Sequence, residues 1–472
     1  MIDRAKLRQR IADLAPAFEE RLAALCGIPS VSMDPGRKAE MAACAKLGAD
    51  TLREAGARVD VLDTGGFPLV LGRFFQDAAF PTVTVYNHLD VQPADGEGWR
   101  TPPFKLTRDA TLPADKPARW FARGATDDKG PALTALYGAR LAIENGVRAN
   151  IQFLWELEEE IGSPHFAAGL AAAVAGDAAA DRAPLKTDSV VVSDTIWIAA
   201  GQPSISYGLR GLMGFTVSLE TGAKDVHSGT TGGLARNPIG ELAALVADCY
   251  DARTGKVKIP GFYADVRKLS AAERKAFARA RFSRKRFAAA HELGSLRPIR
   301  DDLAGLVALT AAPTFEVHGI VGGYAGPGIK TIVPHRAELK LSTRLVPDQK
   351  PEKVFNLIKR FIKSRLPDAE VTHEASLEPY LAPMDGPVND AAAAAARATF
   401  GKSPAFVREG GSIGAVLTMR KTLGAPVTFL GLSLPEHGYH AINENYDWGQ
   451  ASGGMELFCR YFSEIAERAA RG

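Results

Sequence analysis

The sequence predicts an α/β protein, a mostly parallel sheet flanked by helices and interrupted by an inserted α+β segment. Three observations carry that prediction. Short apolar runs of strand length alternate with helical patterns over the first 200 or so residues. From about 203 to 385 the texture changes to alternating strands with one solvated face. After 386 the helix–strand alternation resumes. Strands separated by helices argue for a parallel sheet covered on both faces. The simplest topology is a discontinuous α/β domain, residues 1–202 and 386–472, carrying an α+β domain at 203–385.

The elements follow in order. Residues 3–26 place apolar side chains at helical spacing. PTVTVYNH at 81–88 is β-rich and short, and GPALTALYGARLAIENG at 130–146 has the 3.6-residue period of a helix with one buried face. IQFLWE at 151–156 and SVVVS at 189–193 are compact apolar runs of strand length. SISYGLRGLMGFTVSLE and KTIVPHRAELKLSTRLVP alternate as antiparallel strands do when one face meets solvent. Between them, VRKLSAAERKAFARARFSRKRF at 266–287 reads as one long basic helix. Residues 267–286 hold nine Lys or Arg and a single acid, Glu273. Lacking the interleaved aromatics of a strand-binding surface, this segment reads as a solvated face whose aliphatic stems lie on apolar neighbours.

Composition narrows the function classes. At 472 residues the chain is too long for one ordinary core. Hydrophobic residues at 46% and charged residues at 24% exclude global disorder. A net charge of +3 gives no reason to expect a nucleic-acid partner. Cys26, Cys44, Cys249 and Cys459 form no CxxC pair and are expected to be reduced, packed thiols. The start is charged throughout, and no run approaches ~18 apolar residues, so neither a secretory signal nor a membrane span is expected. The expected chain is soluble and cytoplasmic.

Four strand-like runs lead to side chains that ligate metals: His88 and Asp90; Glu158, Glu159 and Glu160; Asp194; His437 and His440. Ligands of open parallel sheets bind beyond the carboxyl ends of the strands, so these groups can converge on one crevice. Asp127 and Asp128 precede a helix, where free N–H groups tolerate negative charge. Singly, each is an ordinary loop or packed residue. Together, imidazoles and carboxylates without paired cysteines suit Zn, Mn or Co. Two ions sharing a carboxylate sit ~3.5–4 Å apart, and the site also needs an unligated carboxylate to take a proton from water. The neighbours Glu159 and Glu160 can divide those tasks.

The strings HLDVQP, GWRTPPF, RGATDDKGP, EEEIGS, SDT, DVHSG, STRLVP and HGYHAINENY, in this order, resemble the di-metal aminoacylase/carboxypeptidase metallopeptidases. That family includes acetylornithine deacetylases and succinyl-diaminopimelate desuccinylases; the resemblance is strongest to its cytosolic, carnosine-dipeptidase-like branch and runs from about residue 20 to the end. It implies two divalent ions, zinc first with Mn or Co as alternatives. His88 and Asp194 would be terminal ligands of one, Glu160 and His440 of the other, and Asp127 the bridge. Glu159 matches the base that activates a metal-bridging hydroxide, and Asp90 the acid that orients His88. Arg344 matches the residue holding a substrate carboxylate. His227 matches an oxyanion-stabilising histidine, contributed by the partner subunit in related dimers. Thr331, Gly411 and Ser412 match further substrate contacts.

The implied activity is hydrolysis of dipeptides or short peptides with a free C-terminal carboxylate, by a homodimer built through a lid at 203–385. An N-acyl-amino-acid deacylase with the same metals is the alternative; GWRTPPF and the lid favour the dipeptidase. A non-catalytic metabolite-binding relative is expected to have lost a ligand or the base, and this chain retains each. Three features depart from the pattern or leave it open. Asn87 replaces the usual Gly before the metal His and is expected to perturb the strand end. Glu378 stands where the carnosine branch has a substrate-touching His, which argues against β-alanyl-histidine. His437 offers a second imidazole near His440, but the trailing AINEN favours His440.

Overall fold

The computed structural model describes residues 2–113 and 116–471. Its centre is a six-stranded sheet in the order Arg58–Leu62, Leu69–Phe74, Asn150–Glu156, Thr82–His88, Ser189–Val192, Val427–Phe429. The last three pairings are parallel, and the first two strands add an antiparallel edge. Side chains alternate between the faces, as the strand pleat requires. Val83, Val85, Phe153 and Trp155 enter one core with helices Lys129–Glu144, Pro387–Phe400 and Trp448–Ala469. Tyr86, Leu154, Val190 and Val192 enter the other with Phe166–Ala175 and Gly414–Leu423. Both faces are covered, so the strands read as continuous apolar runs. The carboxyl ends of the four parallel strands share one edge.

The expected helix over 3–26 is two helices. Asp3 caps Arg4–Asp13, accepting from the N–H groups of Ala5 and Lys6 at 3.0 and 3.2 Å. The break falls at Leu14 because Pro16, in the first turn of Ala15–Cys26, lacks a donor and crowds the carbonyl four residues back.

Within the inserted stretch, four antiparallel strands run in the order Thr314–Gly322, Arg336–Leu345, Gly211–Glu220, Glu370–Leu377. Met213, Phe215, Val217 and Leu219 turn inward under helices Pro238–Cys249 and Pro351–Arg365. The other face carries no helix of that core, as the alternation predicts.

Strand Ser204–Leu209 lies elsewhere. It pairs in parallel with Ala405–Glu409 and antiparallel with Tyr380–Leu381. Just beyond, Leu212 pairs with Leu377, so the two chain crossings between the bodies run side by side. The basic segment also differs from expectation. It forms Ala271–Arg279 and Arg284–Ala290, separated where Arg281 takes φ +54°. The first of these helices packs with Asp302–Thr310 on Tyr207 and Val407, outside the four-stranded sheet.

Glu273, the one acid in that segment, faces inward. It caps its own helix with Ser270 and pairs with Arg408, which is 2% exposed; the Tyr207 hydroxyl donates to the same oxygen at 3.1 Å. Removing one partner strands a buried charge, which typically costs ~3–5 kcal/mol. Arg408→Met is therefore expected to lower Tm by several degrees. The double variant Arg408→Met/Glu273→Gln should recover much of that loss in a thermal scan, and equal losses would show that the pair carries no such coupling.

Candidate active site

His88 ends its strand with no exposed surface. Its Nε2 lies 3.1 Å from Asp127 Oδ1 and 3.9 Å from Asp194 Oδ2. The other oxygen of Asp127 lies 3.0 Å from Nε2 of His440, which is itself 3.2 Å from Glu160 Oε2. One carboxylate thus faces two imidazoles, each with its own further acid. Ligand-type atoms of His88, Asp128 and Asp194 lie within 4.8 Å of one another, and so do those of Asp127, Glu160 and His440. All five residues expected to hold metal are brought together, with Asp128 beside them.

Asn87 does not disturb the strand end. It keeps register opposite Trp155, and its amide donates to Asp128 Oδ2 at 2.7 Å. The residue that departs from the family pattern is thus committed to Asp128.

This cluster fits cations. Burial, and then the neighbouring negative charges, push the Glu160 carboxyl up and Asp194 to about 7, with the imidazoles pulling the other way. Burial alone would lower His88 and His440, but hydrogen bonds to Asp127 and to Asp90 or Glu160 push both well up. Glu160 Oε1 is buried with no hydrogen-bond partner. The buried cations of the adjoining segment are committed elsewhere: Arg123 to Glu444, and Lys129 to the carbonyls of Leu25 and Ile28. Divalent ions bound by N and O would balance such a set.

Supporting contacts fix the geometry. The carboxylate of Asp90 accepts from the N–H groups of Glu159 and Glu160 at 3.2 and 3.0 Å. Its Oδ1 lies 3.4 Å, and its carbonyl oxygen 3.0 Å, from His88 Nδ1. A proton on Nδ1 directed there leaves Nε2 free to ligate. Among the described residues nothing hydrogen-bonds the Glu159 carboxyl. Burial, and then the charges of Asp194, Glu160 and Glu156 working against His88, push it well above the usual carboxylate range. Glu158 is turned away, accepting from Phe67 N–H and from His165 through its backbone N–H and ring Nδ1.

His437 and His440 separate cleanly. The ring of His437 is fully buried between Thr126 Oγ1 at 3.0 Å and Asp447 Oδ2 at 2.9 Å, so it holds the loop rather than facing the cluster. Two residues escaped the sequence reading. Glu444 is fully buried and accepts from the backbone N–H groups of Gly124, Thr126 and Asp127 and from Arg123, clamping the loop that presents Asp127. The Tyr439 hydroxyl donates to Asp194 Oδ1 at 3.2 Å. Both lie inside HGYHAINENY, which was the only signal available.

The residues expected to contact substrate fall in two places. Arg344, at the end of a lid strand, donates to Ser412 Oγ at 3.0 Å, next to Gly411, whose carbonyl accepts from Arg210 N–H. Arg210 is pulled down to about 10 by burial and by the charge of Arg344, so two guanidiniums share one wall. His227 and Thr331 meet at a two-stranded ribbon of the inserted stretch, Val226–His227 against Ile332–Val333, with Thr331 just before the second strand. Ring Nδ1 of His227 accepts from Gly229 N–H, and Ser228 N–H donates to Thr331 carbonyl oxygen. No contact among the described residues joins either to the metal-ligand cluster. Glu378 is exposed and lies 3.5 Å from Lys350.

An aspartate between two imidazole–carboxylate groups, at the carboxyl edge of the parallel strands, makes a candidate dinuclear metal site. Residues 84–464 match the model of peptidase family M20/M25/M40, and the chain belongs to that family. It is 32% identical over 484 residues to the Cys-Gly metallodipeptidase dug1 of Schizosaccharomyces pombe, covering 98% of each chain. Against the Beta-Ala-His dipeptidase of Homo sapiens it is 30% identical over 459 residues, 93% of this chain and 87% of that one. The crystal structure of human carnosine dipeptidase 1 superposes with a TM-score of 0.86 at 29% identity, covering 98% of both chains. No helix among the described residues is long and apolar enough to cross a membrane.

Proposed function

We propose that this chain is a dipeptidase that hydrolyses the peptide bond next to a free C-terminal carboxylate. The observation that carries the reading is Asp127, whose two oxygens face His88 and His440 separately. His88 and Asp194 would hold one divalent ion, Glu160 and His440 the other, and Asp127 both; zinc suits this N/O set, with manganese and cobalt as alternatives. Bound there, the ions supply Lewis acidity at the scissile carbonyl and a more acidic water. Glu159 takes the proton of the attacking water and returns it to the leaving amine nitrogen. Asp90 keeps both glutamates and His88 in register.

Arg344, with Ser412 and the Gly411 backbone beside it, holds the terminal carboxylate, for which a guanidinium fork is the matching donor. Dipeptidase relatives at 30–33% identity support a peptide over an N-acyl-amino-acid substrate. The active unit is a cytoplasmic homodimer in which the lid at 203–385 delivers His227 and Thr331 to the neighbouring site. Four free, buried cysteines fit a reducing compartment, and Leu234 and Ile329, 93% and 95% exposed on the lid, fit an uncovered contact face.

Elemental analysis tests the metal reading. The purified protein is expected to approach two divalent ions per chain. Saturation at one ion with full activity overturns the dinuclear assignment.

A further inference from the structure

Beside the carboxylate anchor lies a cavity of about 300 Å³, the lower end of the range for small-molecule sites. Arg344, Gly410 and Gly411 form one wall. Ile196 and Trp197, two and three residues beyond Asp194 in the sequence, form a second. The rest is a roof of Phe282, Phe287, Leu306 and Leu309, contributed by the inserted helices that dock on the central body.

Most polar groups around this space are already engaged, Arg408 Nη1 being a buried exception without a partner among the described residues. Arg210 Nε donates to Gly410 carbonyl oxygen at 2.7 Å, and Arg408 is paired with Glu273. Glu409 accepts from the N–H groups of Gly410 and Ile196, and Trp197 Nε1 donates to Gly431 carbonyl oxygen. His291 lies with its ring 4.4 Å from that of Phe287, and burial pulls its pKa down, towards the neutral form. What remains facing the cavity is largely aliphatic and aromatic.

We propose that this cavity receives the side chain of the substrate's C-terminal residue and makes the enzyme selective for dipeptides ending in leucine or phenylalanine over glycine. The inference rests on Arg344 and Ser412 being the carboxylate anchor. Carboxylate and side chain leave the same Cα, so a carboxylate held by Arg344 places the side chain within two bonds of that wall. Glycine leaves the cavity unfilled. Filling an apolar pocket with a leucine-sized group is expected to raise kcat/KM about 10- to 100-fold.

The test is a series of Ala-Gly, Ala-Leu and Ala-Phe with the metal-loaded enzyme. Calorimetric binding of the same peptides to Glu159→Gln reads selectivity without turnover. Ala-Leu and Ala-Phe are expected to exceed Ala-Gly by about 10-fold or more in both measurements. Phe287→Ala and Leu309→Ala, two half-buried positions on separate helices, should each lower the Ala-Phe to Ala-Gly ratio several-fold, while Phe287→Leu retains it. If Ala-Gly is turned over as well as Ala-Phe, or if neither alanine variant moves the ratio, the cavity assignment falls and the dipeptidase reading stands. If no dipeptide is hydrolysed or bound, both fall.

Discussion

Glu159→Gln is expected to lower kcat by at least ~10²-fold, the lower end of what a positioned general base contributes, while the protein keeps its fold and its metals. The substitution is nearly isosteric. The contact that holds this segment, Glu159 N–H to Asp90, belongs to the backbone and survives. No proposed ligand is altered, so metal content should stay at two per chain, and KM should change far less than kcat. No nearby acid takes over: Glu158 lies one residue away but its carboxylate is already occupied by Phe67 and His165. Activity comparable to the parent, with metal content unchanged, would place the base elsewhere.

His227→Ala subunits, inactive alone, are expected to regain activity when mixed with inactive Glu159→Gln subunits. An oxyanion donor acts only within ~2.7–3.1 Å of the developing charge, and losing one typically costs ~10²–10³-fold in kcat. In this chain His227 sits on the lid ribbon with its ring nitrogen on Gly229, while every proposed ligand lies on the central body. In a shared-site dimer, the mixed species has one site lacking both groups and one site with both. Up to about half the exchanged protein should therefore be heterodimer with one working site. Subunit exchange shown by mass spectrometry, with no return of activity, would assign His227 to its own chain.

Much of this arrangement is legible in the sequence for a simple reason. Parallel strands buried on both faces leave apolar runs that stop abruptly, and His88, Glu160 and Asp194 stand where the runs stop. The trailing AINEN already favoured His440 over His437, but the use of His437 between Thr126 and Asp447 shows only in three dimensions, because two imidazoles three residues apart point in different directions. Glu444 was illegible as a support because its partners are backbone N–H groups more than 300 residues away. The basic segment misled for a related reason. Its period marks a helix, but the chain breaks at Arg281, and the inward turn of Glu273 depends on Arg408, which lies on a distant strand. Likewise Ser204–Leu209 looks like its antiparallel successors until its partners are known.

The paired crossings between the bodies have a mechanical consequence. Leu209 is bonded in register to Tyr380, and Leu212 to Leu377. A Cβ on Gly211 would meet the Leu377 carbonyl at 2.6 Å, so the two plies are pressed together at that point. Such a double-ply strap can flex across its own plane but resists swivelling about either single strand. Any rotation of the inserted stretch against the central body is therefore expected to follow a leaf hinge rather than a pivot. Arg210 sits in the strap with its guanidinium on Gly410, so any swing pulls on the same short stretch that ends in Ser412.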